Sequence, residues 1–158
     1  MTLAPIRTLI LSAAAALLLA AAGCADRLPA WSRFVAFPSG LWTPAMIVEM
    51  EPWPLDSVVV TGPSYSLALS LRHRLPAPRI ARIVVEQENL GAPMRRDTLT
   101  IHLLTDDGTP AGHGLCGLYS LECPVPGSVT LAEGYSVAIH PLDSLPGISE
   151  AGLILQKN

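Results

Sequence analysis

The sequence predicts an all-β protein: an antiparallel β-sandwich, jelly-roll or immunoglobulin-like, following a cleaved signal peptide. Three observations predict it. Apolar and polar residues alternate in several short runs, the two-residue period of a strand with one buried face. No run after residue 23 keeps a helical period. The 15 prolines cluster between the alternating runs, and about eight runs at roughly ten-residue intervals is the rhythm of a sandwich.

The chain opens with one cation, Arg7, followed by an uncharged apolar run from Leu9 to Ala22. That run ends in Ala21, Ala22, Gly23 and Cys24. A basic start, an apolar middle and a small-residue end are the parts of a secretory signal. The run falls short of the ~20 apolar residues of a transmembrane helix. A cysteine directly after small residues and a glycine is the pattern of a bacterial lipoprotein signal, whose thiol receives a diacylglycerol. Residues 1–23 are expected to be removed, leaving Cys24 as a lipidated N-terminus with an added N-acyl chain. No other cofactor is expected. Several acyl chains anchor a protein stably where one does not, so the membrane is the first partner. The alternative is an ordinary secreted chain whose Cys24 falls at the boundary by chance. Ala25 stands where an inner-membrane retention cue would place Asp, which points to the outer membrane. Asp26 followed at once by Arg27 is a poor acidic export cue, which points to its periplasmic face.

Residues 24–41 read as the lipidated end and a tether, with Pro29, Pro38 and Gly40 and no clear period. The domain is expected over 42–158. Its strands are read at Ala45–Glu51, Asp56–Thr61, and Ser64–Arg72, where Tyr65, Leu67, Leu69 and Leu71 alternate with polar or small residues. Arg79–Gln87 follows, with Ile83 and Val85 in phase. Asp97–Leu104 sets Leu99, Ile101 and Leu103 against Thr98, Thr100 and His102. "TDDGTPAG" reads as a turn. "SVTL", "GYSVAIH" and "EAGLILQK" complete the set.

Without the signal about 135 residues remain, enough for one domain with a core. The net charge of −3 counts the cleavable Arg7, so the remainder is mildly acidic. Nucleic-acid binding wants a basic face, so this balance argues against it and no nucleic-acid partner is expected. No polybasic stretch offers a second lipid contact.

Cys116 and Cys123 are separated by "GLYSLE". Outside the cytoplasm they are expected to pair across a tight turn; two free thiols, or metal ligands lacking partners, are the alternatives. His73, His102, His113 and His140 stand singly, with no metal-ligand spacing, and no Ser lies in G-x-S-x-G. Asp106 and Asp107 precede a glycine and read as turn residues rather than calcium ligands. No catalytic set and no metal site is expected.

From about Gly40 to Lys157 the sequence resembles the gliding-motility lipoprotein GldH family. The likeness is carried by "GLW" with Trp42, "YSLALSLRH" ending in Arg72 and His73, "DTLTIHLLTDDGTPAGHG", "GYSVAIH" and "LPGISEAGLILQK". The chain resembles a divergent member. It has "RLPAPRI" where the family places aromatics, and Pro110 and Ala111 where the family tends to place a Trp. The two later cysteines are outside the family pattern. The resemblance implies a non-catalytic outer-membrane lipoprotein of the gliding-motility and type IX secretion-associated machinery. Its partners would be other gliding or secretion lipoproteins and outer-membrane proteins. Trp42, Arg72 and His73 then become either partner contacts or structural residues, for instance an arginine pairing a carboxylate across the sheet. The alternative role is a lipid-anchored glycan- or peptide-binding module. A third, an enzyme, finds no nucleophile–base pairing in the sequence.

Overall fold

The computed structural model describes residues 29–52, 64–132 and 134–158. The expected signal peptide, Cys24 and the strand expected over Asp56–Thr61 lie outside them. The described residues form β1 (Trp31–Ala36), β2 (Leu41–Trp42), β3 (Val48–Met50), β4 (Ser64–His73), β5 (Ile80–Glu88), β6 (Arg95–His102), β7 (His113–Leu115), β8 (Leu118–Thr130), β9 (Ser136–Pro141), β10 (Leu145–Pro146) and β11 (Ile148–Lys157), with no helix among them. Three antiparallel sheets result, in the orders β1-β11-β4-β8-β7, β3-β9-β5-β6 and β10-β2.

Alternation decides which faces meet. Strand β4 buries Tyr65, Leu67, Leu69 and Leu71 and turns Ser66, Ala68 and Arg72 outward. Strand β11 adds Ala151, Leu153 and Leu155 beside them. From the four-stranded sheet come Ile83, Val85, Ile101, Val137 and Ile139, and all belong to one apolar core. A one-residue slip in either sheet would turn a whole row of these side chains to water, so burial fixes the register.

The tether expected over residues 24–41 is corrected for its described part. Trp31–Ala36 is an edge strand paired to β11 along its whole length. Trp31 and Val35 pack on the core, and Phe34 lies over Gly152, its direct partner across the pair. A Cβ on Gly152 would overlap the Phe34 ring and the Arg33 carbonyl. The domain thus begins by Trp31, not at residue 42. Two further expectations change. The strand read at Ala45–Glu51 is only Val48–Met50, and "SVTL" is the end of a strand that starts at Leu118. Pro124 and Pro126 fit inside β8 because β7 covers only Leu118 to Ser120 of its far edge.

The two ends of the fold differ. Trp31 pairs with Leu155 and Lys157 with Tyr65, so β1 starts where β11 finishes and β4 starts. The β5–β6 hairpin sits at this end. Asn89 Nδ2 donates to the Thr130 carbonyl at 3.4 Å, and Thr130 pairs with Ser64. The opposite end holds His73, the β10–β11 corner and the β7–β8 hairpin.

Candidate functional site

Arg72 and His73 close β4 at the far end, and the strand period sends them to opposite sides. Arg72 faces outward in a row of four strands: Glu150 on β11, Arg72 on β4, Ser120 on β8 and His113 on β7. Its Nη1 lies 3.4 Å from Glu150 Oε1, a cross-strand ion pair with the arginine half exposed. His73 continues the inward series of Tyr65 to Leu71 and is fully buried. Its Nε2 donates to the Ala111 carbonyl at 2.9 Å, and its ring tilts against Tyr119 with centroids 5.8 Å apart. Nδ1 has no hydrogen-bond partner.

Trp42 is also fully buried. Its Nε1 donates to the Met46 carbonyl at 2.8 Å, and its ring stacks on Phe37 at 5.1 Å. Pairing with Leu145 ties it to β10. Gly147, one residue beyond β10, donates to the Gly40 carbonyl at 2.7 Å and has φ of 82°. A Cβ there would strike the Arg74 and Pro76 carbonyls. Trp42 and His73 therefore hold the far end of the fold together, and of the three motif residues only Arg72 reaches solvent.

The expected Cys116–Cys123 disulfide is corrected: both thiols are free. Sequence reading placed the turn within "GLYSLE". The turn is instead Cys116–Gly117, with φ of 56° and 80°, between Leu115 and its partner Leu118. Positive φ at both central residues is the two-residue hairpin geometry that suits the twist of the flanking strands. From Leu118 the chain runs away along β8, so Cys123 lies roughly 17 Å beyond the turn at strand rise. Disulfide cysteines need Cα atoms within about 7 Å. Burial against the sheet raises the Cys123 thiol above its ordinary value, whereas Cys116 is exposed.

This hairpin carries the feature that the sequence reading missed. Leu115 is 85% exposed and Leu118 40%, on either side of the Cys116–Gly117 tip. Beside them Arg72, His113, Gly114 and Ser120 line a shallow open concavity. Gly112 and Gly114 are required by close approach, since a Cβ on either would overlap the backbone of β8. "LCGL" was the available signal: a glycine turn with leucine on both sides instead of polar residues.

A second concavity, about 300 Å³, lies on the outer face of the four-stranded sheet. Glu49, Ala138, Glu86 and Arg96 are register partners across its four strands. Small residues on β9 form its floor, and Glu49, Glu51, Glu86 and Glu88 form its walls. Arg96 lies 3.4 Å from Glu86. Among the described residues no three His, Cys, Asp or Glu side chains are grouped to hold a metal ion.

The remaining singled-out residues have local roles. Asp107 accepts hydrogen bonds from Thr105 and Thr109, which hold its carboxyl below the usual range, and Asp106 pairs with Arg79. Both belong to a turn closed by Thr105 N donating to the Thr109 carbonyl at 2.9 Å. His102 and His113 are exposed, and His140 is half-buried. Tyr135 is buried and donates to Gln87 Oε1 at 2.9 Å; burial pushes its phenol well above the ordinary value. Comparison with protein-family models, with curated proteins and with solved structures finds no match to this chain.

Proposed function

We propose that this chain is a non-catalytic outer-membrane lipoprotein, anchored through Cys24 at the periplasmic face, that joins the gliding-motility and type IX secretion-associated machinery through protein–protein contacts. Its domain is read as a β-sandwich formed by the four- and five-stranded sheets. The observation that carries the reading is the β7–β8 tip: Leu115 and Leu118 stand in solvent at the end remote from the start of β1. Apolar side chains exposed on a protruding hairpin mark a contact surface. The quoted segments and the lipoprotein-type signal supply the assembly and the membrane. Trp42 and His73 support the contact end from inside, and Arg72 borders it.

A glycan-binding role would call for exposed aromatic rings on a sheet face. Among the described residues Trp42 is buried, Trp31 is half-buried and Phe34, 43% exposed on β1, is a lone ring, which gives that alternative little to rest on.

The test is site-specific photo-crosslinking from position 115 in intact cells, with a matched probe at Thr100 on the outer face of the other sheet. Crosslinks from 115, and not from 100, to gliding or secretion lipoproteins or their outer-membrane partners support the assembly role. No crosslink from 115, or equal capture from both positions, overturns it. Loss of outer-membrane partition in Cys24→Ala supports the anchor. Unchanged partition in that variant overturns it.

A further inference from the structure

We propose that the β5–β6 hairpin tip, residues 89–94, is a second membrane contact, dipping Leu90 and Met94 into a lipid surface with neutral headgroups. This rests on the anchor reading above and adds the orientation of the domain to it.

Exposure comes first. Leu90 is 80% and Met94 63% exposed, and the tip "NLGAPM" that holds them carries no charge. Gly91 turns the chain with φ of 82°, Ala92 N donates to the Asn89 carbonyl at 3.0 Å, and Asn89 Nδ2 donates to the Thr130 carbonyl at 3.4 Å. The tip is thus held in place with its apolar side chains in solvent. Uncovered apolar side chains of this size on a loop end gain by leaving water.

Position comes second. The hairpin sits at the end of the fold where β1 begins. Only six residues separate Cys24 from Trp31. At about 3.5 Å per residue this stretch reaches ~25 Å at most. Because Trp31–Ala36 is a strand and not a spacer, a lipid on Cys24 holds this end of the domain against the bilayer. Leu115 and Leu118 then project away from it.

Charge selects the lipid. Arg95 and Arg96 follow Met94 but pair with Asp97 and Glu86, and the acidic walls at Glu49, Glu51, Glu86 and Glu88 outnumber them, so the tip's surroundings are net acidic and disfavour an anionic surface. Neutral headgroups avoid that cost, and the apolar pair provides the attraction. A single tip of this kind is too weak to hold a protein alone, but next to an acyl anchor it fixes orientation.

The experiment uses the full chain, processed by its own signal and reconstituted in phosphatidylcholine–phosphatidylethanolamine nanodiscs. An environment-sensitive thiol probe is placed by Leu90→Cys, and separately by Met94→Cys, each with Cys116→Asn and Cys123→Ala. The native Cys116, in Cys123→Ala alone, reports the opposite end. Intact mass establishes the lipid on Cys24 in each sample. With Cys24 lipidated, blue-shifted emission lost to doxyl-lipid quenching at 90 and 94, and not at 116, supports the proposal. Lipidated protein whose probes at 90 and 94 are as water-exposed as that at 116 overturns it and leaves the anchor intact. Chain with an unmodified Cys24 overturns the anchor reading and the proposal together.

Discussion

The fully buried His73 imidazole on β4 and the carbonyl of half-buried Ala111, 38 residues later, are joined by one hydrogen bond of 2.9 Å. That bond fixes the strand's end to the segment leading into β7, and through it sets where the exposed hairpin stands. His73→Ala removes a packed ring and orphans a carbonyl. It should cost about 2–4 kcal/mol in urea unfolding. Arg72→Ala, next in sequence but half exposed, should cost under ~1 kcal/mol. Equal losses at the two positions would contradict the opposite faces assigned to them.

Gly152 should be intolerant because of Phe34. Gly152→Ala is expected to destabilise by about 1–3 kcal/mol, the usual range for overpacking. In a Phe34→Ala background part of that loss should return, since the ring is one of the two groups a Cβ would meet. Thermal melts of the two single variants and the double variant check this. Strict additivity would mean that β1 does not lie on β11 as described.

The cysteines should behave as two unrelated thiols. Intact mass should be the same with and without reductant. Iodoacetamide should modify Cys116 quickly and Cys123 slowly, since burial raises the Cys123 thiol and leaves less thiolate. A non-reduced mass lower by two hydrogens would reinstate the intramolecular bond.

Tyr135 gives a pH dependence of definite sign. Its phenol is raised in the folded state by burial, while the unfolded chain titrates near 10. Its contribution is whole below pH ~10 and falls as pH rises toward the folded value, because only the unfolded state releases the proton. The loss should approach, at most, about 1.4 kcal/mol per pH unit. Tyr135→Phe also leaves Gln87 Oε1 without its donor, so the comparison is of slopes rather than absolute stability. Urea midpoints at pH 9 and 11 should converge in the variant. A variant as alkali-sensitive as the parent would assign the dependence to another group.

Where side chains alternate cleanly, the sheet was legible. Tyr65 to Leu71, Ile83 with Val85, Leu99 with Ile101, and Val137 with Ile139 fall on core faces as their period requires. Strand β1 was not legible because Arg33 stands between Trp31 and Val35 and breaks the alternation; pairing with β11 outweighs it. The first half of β8 was hidden by Pro124 and Pro126, whose cost depends on a free far edge that no local pattern reveals. At the candidate site, the same alternation that buries Leu71 also buries His73, so that signal was present. Glu150, the partner of Arg72, lies 78 positions away, and only strand order brings it near.

Strand β11 comes after every other described strand in sequence and lies between β1 and β4. During synthesis β1 and β4 are therefore made long before the strand that joins them. The five-stranded sheet has to wait for residues 148–157, and its pairing of β1 spans nearly the whole domain, a non-local closure that slows folding. Losing those few residues would forfeit the whole domain rather than one edge of it.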